Sequence, residues 1–320
     1  MLEPDLPQVK MNLIRPTNPA IARVVSNEFC LRGKSASFVK HLVLDVSETL
    51  LAGNFHAGQS FGVITPGTTD KGKAHKVRLY SVACPSWGED GAAKLVSTTP
   101  KRLIDEYVTA GTESSADHSL FLGVCSNYLC DLRAGDEVRI TGPNGKRFLL
   151  PVNRDAHDYL FLATGTGIAP FRGMILELLT DPAGACSSRI DLVMGTPYTS
   201  DLLYDDLFRQ LATEHGNFKY HTAISRETHA SGAKGLYVDG LMEQKIDYFA
   251  ETLRSPRTIV YVCGLEGMRY GLFKALIKHE LADGYLNVDT SVHELPVAQW
   301  SNKVLKKAAK PTSRCMLEVY

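Results

Sequence analysis

The chain has no surplus of either charge: 35 Lys and Arg stand against 35 Asp and Glu, and the formal net charge is zero. Without a global field, nothing draws it to nucleic acid or to an anionic membrane, and a charge-guided partner must be met by a local patch. It also lacks a long apolar run; none reaches the roughly 18 residues that a membrane span needs. The segment Met1 to Gln8 is acidic and proline-containing, without the basic and apolar regions of a signal peptide or the Arg/Ser bias of a transit peptide. Seven cysteines scattered over 320 residues, an odd number, do not read as a disulfide framework but as free thiols in a reducing compartment. Cys125 and Cys130 come nearest to ligand spacing, yet a lone pair with no second pair and no nearby His is poor zinc or iron–sulfur spacing. No metal site is expected. Repeats and low-complexity segments are absent too, and the expected setting is the bacterial cytoplasm.

What is present divides midway. Length alone favours two domains, each able to bury its own core. From about residue 20 to 150 the chain reads as short β-type runs broken by Gly, Pro and Asp, among them Phe38 to Val46, Gln59 to Ile64, Val77 to Val82 and Glu137 to Thr141. Turn signals at Pro66-Gly67, Ala134-Gly135 and Pro143-Asn-Gly145 separate them, which predicts an antiparallel barrel or sandwich. After Pro151 strands and helices alternate. Strands are expected at Tyr159–Ala163, Arg189–Met194, Phe218–Ile224, Thr258–Val262 and Met316–Tyr320. Helices are expected at Phe171–Leu179, Leu203–His215, Val238–Leu253 and Gly267–Leu281. That alternation predicts a doubly wound parallel sheet.

In such a sheet, ligands bind at the carboxyl ends of the strands. The first runs into Thr164-Gly-Thr-Gly-Ile-Ala-Pro170, the second into Gly195-Thr-Pro197, the third into Ser225-Arg226 and the fourth into Cys263-Gly-Leu265. Glycine lets backbone N–H groups approach a pyrophosphate at a helix N-terminus. A cation at Arg226 suits a ribose 2′-phosphate, where NAD enzymes usually place an acid. Gly165-Thr-Gly167 alone says little; four such ends in one sheet say much more.

The sequence also resembles the plant-type ferredoxin–NADP reductases, from Asn12-Leu-Ile-Arg-Pro16 to the last residue. The resemblance is carried by Gly58-Gln-Ser-Phe-Gly-Val-Ile64, His75-Lys-Val-Arg-Leu-Tyr-Ser81, Gly123-Val-Cys-Ser-Asn-Tyr-Leu-Cys-Asp-Leu132, Gly135-Asp-Glu-Val138 and Thr141-Gly-Pro143. Further blocks are Ala163 to Arg172, Ser225-Arg-Glu227, Cys263-Gly-Leu-Glu-Gly-Met268 and Leu317-Glu-Val-Tyr320. It implies a six-stranded Greek-key barrel binding FAD over residues 1–151, with the barrel proper at about 18–150, and an NADP(H)-binding α/β domain over 152–320.

By the same resemblance, Arg78, Leu79, Tyr80, Ser81, Gly123, Val124, Cys125, Ser126, Thr166 and Tyr320 contact FAD. Thr166, Gly195, Thr196, Pro197, Ser225, Arg226, Lys234, Tyr237, Cys263, Gly264 and Leu265 contact NADP(H). Ser81, Cys263, Glu318 and Tyr320 are the implied catalytic residues, with Tyr320 covering the flavin face that nicotinamide must reach. Its place at a chain end would make displacement cheap, one or two residues moving. The implied activity is FAD-mediated electron transfer between NADP(H) and an acidic one-electron carrier, ferredoxin or flavodoxin, diaphorase activity included, by a monomer. Lys71, Lys73, Lys76, Lys101, Arg102, Lys303, Lys306, Lys307 and Lys310 fall in the regions that greet the carrier.

Blander readings stand beside these. On spacing alone Tyr80 and Ser81 are a buried ring and a satisfied hydroxyl, Cys263 a small hydrophobe, Glu318 a solvent-facing edge charge, Tyr320 a frayed end and the lysines solvated faces. The chain also departs from the family pattern. The tyrosine after Lys101-Arg-Leu103 is displaced to Tyr107, and the loop behind it, Thr109 to Ser119, is longer. Lys234 and Tyr237 are one residue further apart, and Asp239 replaces a common glutamine, an acid that would weaken NADP preference. A reductase feeding a specific oxygenase, or a non-catalytic nucleotide-binding protein on the same fold, are the alternative functions.

Overall fold

The computed structural model describes residues 2–31, 33, 35–106, 120–228, 235–292 and 294–320. Two units emerge, residues 9–31 with 35–145, and residues 2–8 and 33 with 146–320. Tyr107, Lys234 and the loop 109–119 lie outside the described residues.

The first unit is antiparallel. Its strands are β1 (Ala20–Phe29), β2 (Lys40–Asp45), β3 (Ser60–Ile64), β4 (Arg78–Ser81), β5 (Leu95–Thr98), the short pair β6 (Ile104–Glu106) and β7 (Leu120–Leu122), and, after helix α1 (Val124–Asp131), β8 (Glu137–Asn144). Six of them form one sheet in the order β4-β3-β8-β1-β2-β5. The two ends of that sheet meet: Ala83 N donates to Ser97 O at 2.8 Å and Thr98 Oγ1 to Ser81 O at 2.8 Å, which closes the sheet into a barrel. Alternation decides which side faces in. On β1, Ala22 and Val24 are buried while Ile21 and Val25 face out. Leu42, Leu44, Phe61, Val63, Val96, Val138 and Ile140 complete the interior. Each such side chain contributes about 1.5–3 kcal/mol by leaving water. At Gly62 a Cβ would stand 2.2 Å from Thr141 Oγ1, so only glycine lets β3 lie this close to β8.

The second unit is parallel. It runs β9 (Asp158–Thr164), α2 (Ile168–Leu179), β10 (Ile190–Thr196), α3 (Asp205–Glu214), β11 (Phe218–Ile224), α4 (Val238–Gln244), α5 (Ile246–Arg254), β12 (Thr258–Gly264), α6 (Glu266–Lys278), β13 (Leu286–Val288), α7 (Asn302–Ala308), β14 (Ala309–Pro311) and β15 (Cys315–Val319). The five-stranded sheet has the order β11-β10-β9-β12-β15, every pair parallel. β10 and β12 are buried at every position, as strands covered on both faces must be. The expected barrel and doubly wound sheet are both found. No helix among the described residues is long and apolar enough to cross a membrane.

Three expectations change. The single helix expected over Val238–Leu253 is two, divided at Lys245 (φ −112°, ψ 35°). The apolar stripe of α4 is Val238, Leu241 and Met242, and one more helical turn would carry Lys245 into it; breaking there lets α5 bury Phe249, Ala250 and Leu253 independently. The block Gly123–Leu132 contains the helix α1, which carries neither a side-chain N-cap nor a first-turn acid to announce it. It is fastened from outside, by Asn27 Nδ2 donating to Leu129 O and Leu132 O, both at 2.9 Å. Tyr320, finally, stands beyond β15, which ends at Val319.

Away from the carboxyl ends, Asp191 on β10 is fully buried and accepts from Arg189 Nε (2.9 Å), Tyr248 Oη (2.5 Å) and His221 Nε2 (3.2 Å). Burial alone would raise its carboxyl; the His221, Tyr248 and Arg189 donors outweigh that and hold it below its usual range. A depressed carboxyl contributes stability that is present above its unfolded value and lost as pH falls through the folded one. Asp191→Asn should therefore destabilise the protein by about 1–3 kcal/mol at neutral pH. In urea titrations at pH 7 and at about pH 3, the deficit should be large at the first and shrink at the second.

Candidate functional site

At the carboxyl edge of the parallel sheet the chain leaves β9 towards β10 on one side and returns through β12 on the other, which makes the β9–β12 boundary the switch point. The two strand ends touch there. A Cβ on Gly167 would lie 2.1 Å from Cys263 O, and one on Gly264 (φ +134°) 2.2 Å from Thr164 Oγ1. Thr164 Oγ1 accepts Leu265 N at 2.9 Å and ties the two turns together. Gly165–Gly167 forms a 3-10 turn that passes directly into α2, whose start has neither side-chain cap nor acid. Pro170 sits in the first turn of α2, where its missing N–H costs nothing. A helix start of this kind is suited to phosphate.

The next two ends extend the edge. Ser225 N donates to Thr196 O (3.0 Å) and Arg226 N to Pro197 O (2.9 Å), so the pairing of β10 and β11 continues past both strands. Gly195 receives α4, a Cβ there standing 2.6 Å from Val238 Cγ2. Gly235 lets the following segment close on β11: a Cβ would be 2.4 Å from Ile224 O, and Leu236 N donates to that same oxygen at 2.9 Å. This brings exposed Tyr237 to the end that carries half-buried Ser225 and exposed Arg226. Asp239, in the first turn of α4, turns its carboxylate to α6, where a Cβ on Gly271 would meet Oδ2 at 2.6 Å.

β15 adds the last residues. Its register sets Cys263 opposite Glu318 and Gly264 opposite Val319. Burial, with the facing Glu318, pushes the Cys263 thiol up, so the sulfur stays protonated. Burial likewise pushes the Glu318 carboxyl up to about 7, unlike a solvent-facing edge charge. Tyr320 is not frayed. Its N–H donates to Gly264 O (3.0 Å), its carbonyl accepts Glu266 N (3.1 Å), and its hydroxyl shares a hydrogen bond with Thr166 Oγ1 (2.8 Å). Moving one or two terminal residues would break backbone pairing. Rotating the ring instead gives up the hydroxyl's contacts with Thr166 and the Gly167 backbone.

On the barrel, β4 presents exposed Arg78 and Leu79 and half-buried Tyr80 and Ser81. Burial, and the Cys125 thiol beside it, push the Tyr80 phenol up. Gly123 caps α1 with its backbone only; a Cβ would lie 2.6 Å from Ser126 Oγ and 2.8 Å from Leu103 Cβ. Gly123 N donates to Leu103 O (2.9 Å) and Leu103 N to Asn127 Oδ1 (3.1 Å), which fixes the helix start and leaves its first turn open to an anion. Val124 is exposed and Cys125 buried. Cys130 donates to Pro100 O, and burial pushes its thiol up to about 11. Of the cations expected to greet a carrier, Arg102 is bound to Asp131 and lies over Phe38, while Lys306 pairs with Glu266 at 3.6 Å. Lys71, Lys73 and Lys76 are exposed.

A glycine-lined switch point in a parallel sheet, following a barrel with an anion-ready helix start, defines a nucleotide-dependent oxidoreductase. Residues 161–272 match the oxidoreductase NAD-binding domain family. The ferredoxin–NADP reductase of Spirulina is 36% identical over 289 residues, covering 89% of this chain and 94% of its own length. The chloroplastic leaf isozyme 1 of Arabidopsis thaliana is 34% identical, covering 86% of this chain and 74% of its own. The Plasmodium falciparum ferredoxin–NADP+ reductase solved with 2′P-AMP shares the fold, with a TM-score of 0.69 at 20% identity over 97% of this chain and 99% of that one. The chain belongs to the ferredoxin–NADP reductase family, FAD and NADP(H) being its cofactors.

Glu318 yields a stability test. An acid whose carboxyl is raised from 4.5 to about 7 contributes stability fully present below pH 4.5 and lost as pH rises through 7. Glu318→Gln should unfold at higher denaturant than the parent at pH 8, by on the order of 1–2 kcal/mol after allowing for partial exposure. The two proteins should converge at about pH 4.5; curves separated equally at both pH values would place Glu318 in water.

Proposed function

We propose that the chain is an FAD-dependent ferredoxin–NADP(+) oxidoreductase with diaphorase activity, working as a monomer in a bacterial cytoplasm, with ferredoxin or flavodoxin as carrier. Bound FAD supplies the exchange between hydride and single electrons, and the protein positions it and excludes water. Residues 1–151 hold FAD. Arg78 and the open first turn of α1, Gly123 to Ser126, take its pyrophosphate, with Leu79, Tyr80 and Ser81 along its flavin. The missing side chain of Gly123, which lets Ser126 Oγ and Leu103 close on a helix start that has no side-chain cap, supports this fit. Residues 152–320 hold NADP(H). The Thr166 turn and Gly195–Pro197 receive its phosphates, while Ser225, Arg226 and Tyr237 take the 2′-phosphoadenosine end, and Lys234 is assigned with them.

At the switch point Cys263 offers the nicotinamide a neutral thiol, with Gly264 and Leu265 beside it. Glu318 holds or releases a proton near neutral pH. Tyr320 occupies the Thr166 edge until coenzyme displaces its ring. Exposed Lys71, Lys73 and Lys76 give an acidic carrier a local patch on a neutral protein. The observation that carries the reading is the junction itself, where Cys263 stands in register with Glu318 and the Tyr320 hydroxyl bridges to Thr166.

Two substitutions test it in opposite directions. Arg226→Ala should weaken NADPH far more than NADH, by roughly 1.5–3 kcal/mol, because a charge-assisted contact to the 2′-phosphate is lost. Tyr320→Ser should tighten both coenzymes, since a competitor shared by both is removed. Affinities measured on the yellow, FAD-loaded protein decide. Equal losses in Arg226→Ala, or unchanged affinities in Tyr320→Ser, would remove those residues from the site.

A further inference from the structure

The last residue of β9 touches the ends of both neighbouring strands. Thr164 closes the middle strand of the parallel sheet in an extended conformation (φ −131°, ψ 132°), directly before the Gly165–Gly167 turn. Towards β12 its Oγ1 accepts Leu265 N at 2.9 Å and fills the place of the side chain that Gly264 lacks. Towards β10 its methyl faces Gly195, its partner in register, where a Cβ would stand 3.2 Å from Thr164 Cγ2. The side chain is a wedge, polar on the side of Cys263 and apolar on the side of Gly195. The Gly264–Glu266 turn is also bonded to the backbone of Tyr320, which donates its N–H to Gly264 O (3.0 Å) and accepts Glu266 N (3.1 Å). Those bonds tie the turn to the end of β15. The Thr164 bond ties it to the strand that opens into the Thr166 turn.

We propose that Thr164 is a positioning residue, which sets the nicotinamide end of the site against its phosphate end. One coenzyme must reach both turns at once, so the spacing between them decides whether the nicotinamide arrives in a reactive pose. A displacement of about 1 Å at a reacting centre can cost on the order of a hundredfold in rate. Thr164 acts through the Leu265 N–H, without touching the coenzyme. The inference rests on the assignment of Cys263, Gly264 and Leu265 to the nicotinamide and of the Thr166 turn to the phosphates.

Thr164→Val keeps the branched shape and removes the acceptor, whereas Thr164→Ser keeps the acceptor. The readouts, all on the FAD-loaded protein, are hydrogen exchange at the Leu265 amide, calorimetric affinity for 2′-phospho-AMP, and single-turnover bleaching of the flavin by NADPH and by NADH. In Thr164→Val the Leu265 amide should exchange about tenfold faster, its acceptor being gone. Bleaching should slow about tenfold with NADPH and NADH alike, while 2′-phospho-AMP, which reads the far end alone, should bind within about twofold of the parent. Thr164→Ser should stay near the parent in every readout. Parent-like bleaching in Thr164→Val overturns the proposal. So does a loss of 2′-phospho-AMP in step with bleaching, or a Thr164→Ser as slow as Thr164→Val, since either describes a disturbed edge and not a lost tether. Should Thr164→Val shed FAD or unfold, Thr164→Ala, which puts no group in the hydroxyl's place, carries the same expectations and the same failing outcomes. The parent protein separates the two levels. A flavin that NADPH fails to bleach in the parent removes the nicotinamide assignment and the tether with it; normal bleaching in the parent and in Thr164→Val removes the tether alone.

Discussion

Two glycines facing two stretches of backbone set the position of everything at the parallel sheet's carboxyl edge. The volume that a methyl group on Gly167 would fill belongs to the carbonyl of Cys263, and the volume beside Gly264 belongs to Thr164. Steric exclusion of this kind is absolute at distances near 2 Å, so the β9 turn and the β12 turn can approach only as they do. The rest follows in sequence. β12 fixes the register of β15, the register puts Glu318 against Cys263, and Gly264 supplies the carbonyl on which Tyr320 hangs. One added carbon would propagate through all three.

The other end of the sheet is held by different means. Asp191 lies among three donors near the start of β10, and Arg314, fully buried just before β15, donates to the carbonyls of Thr258 and Ser255 and stacks on Tyr285 at 4.9 Å. A charge without water is tolerable only when its hydrogen-bonding groups are met, and a met charge is hard to move. The sheet is therefore fastened by charge where its strands begin and shaped by glycine where they end. Binding groups can vary at the glycine end while the charged end keeps the strands in place.

The strands of the parallel sheet were legible because burial on both faces demands continuous apolar runs, and the candidate site was read from the glycine, proline or serine at which those runs stop. Charged neighbours were less so. The sequence places Asp239 close to the coenzyme, but its carboxylate turns to Gly271 across the helix pair. Arg102 looks like one of a cluster of steering cations, yet Asp131 and Phe38 hold it. Helix α1 lacks local signals because its fastening comes from Asn27 on β1. The Thr199–Glu227 contact joins residues 28 apart and obeys no local rule. Each of these is a long-range pairing, and periodicity carries no information about which distant partner a polar group will find.

The attachment of Tyr320 has a kinetic consequence. A terminal strand that had to peel from its sheet would open on the timescale of local unfolding, microseconds or slower, and would expose unpaired backbone each time. With its backbone in the ladder and only its hydroxyl's contacts to Thr166 and the Gly167 backbone restraining the ring, the residue moves by rotamer exchange, a matter of picoseconds to nanoseconds for an exposed side chain. A ring of that kind re-equilibrates long before a small molecule diffuses in or out. In the role proposed for Tyr320 it would set how tightly the nicotinamide is held without becoming the slow step.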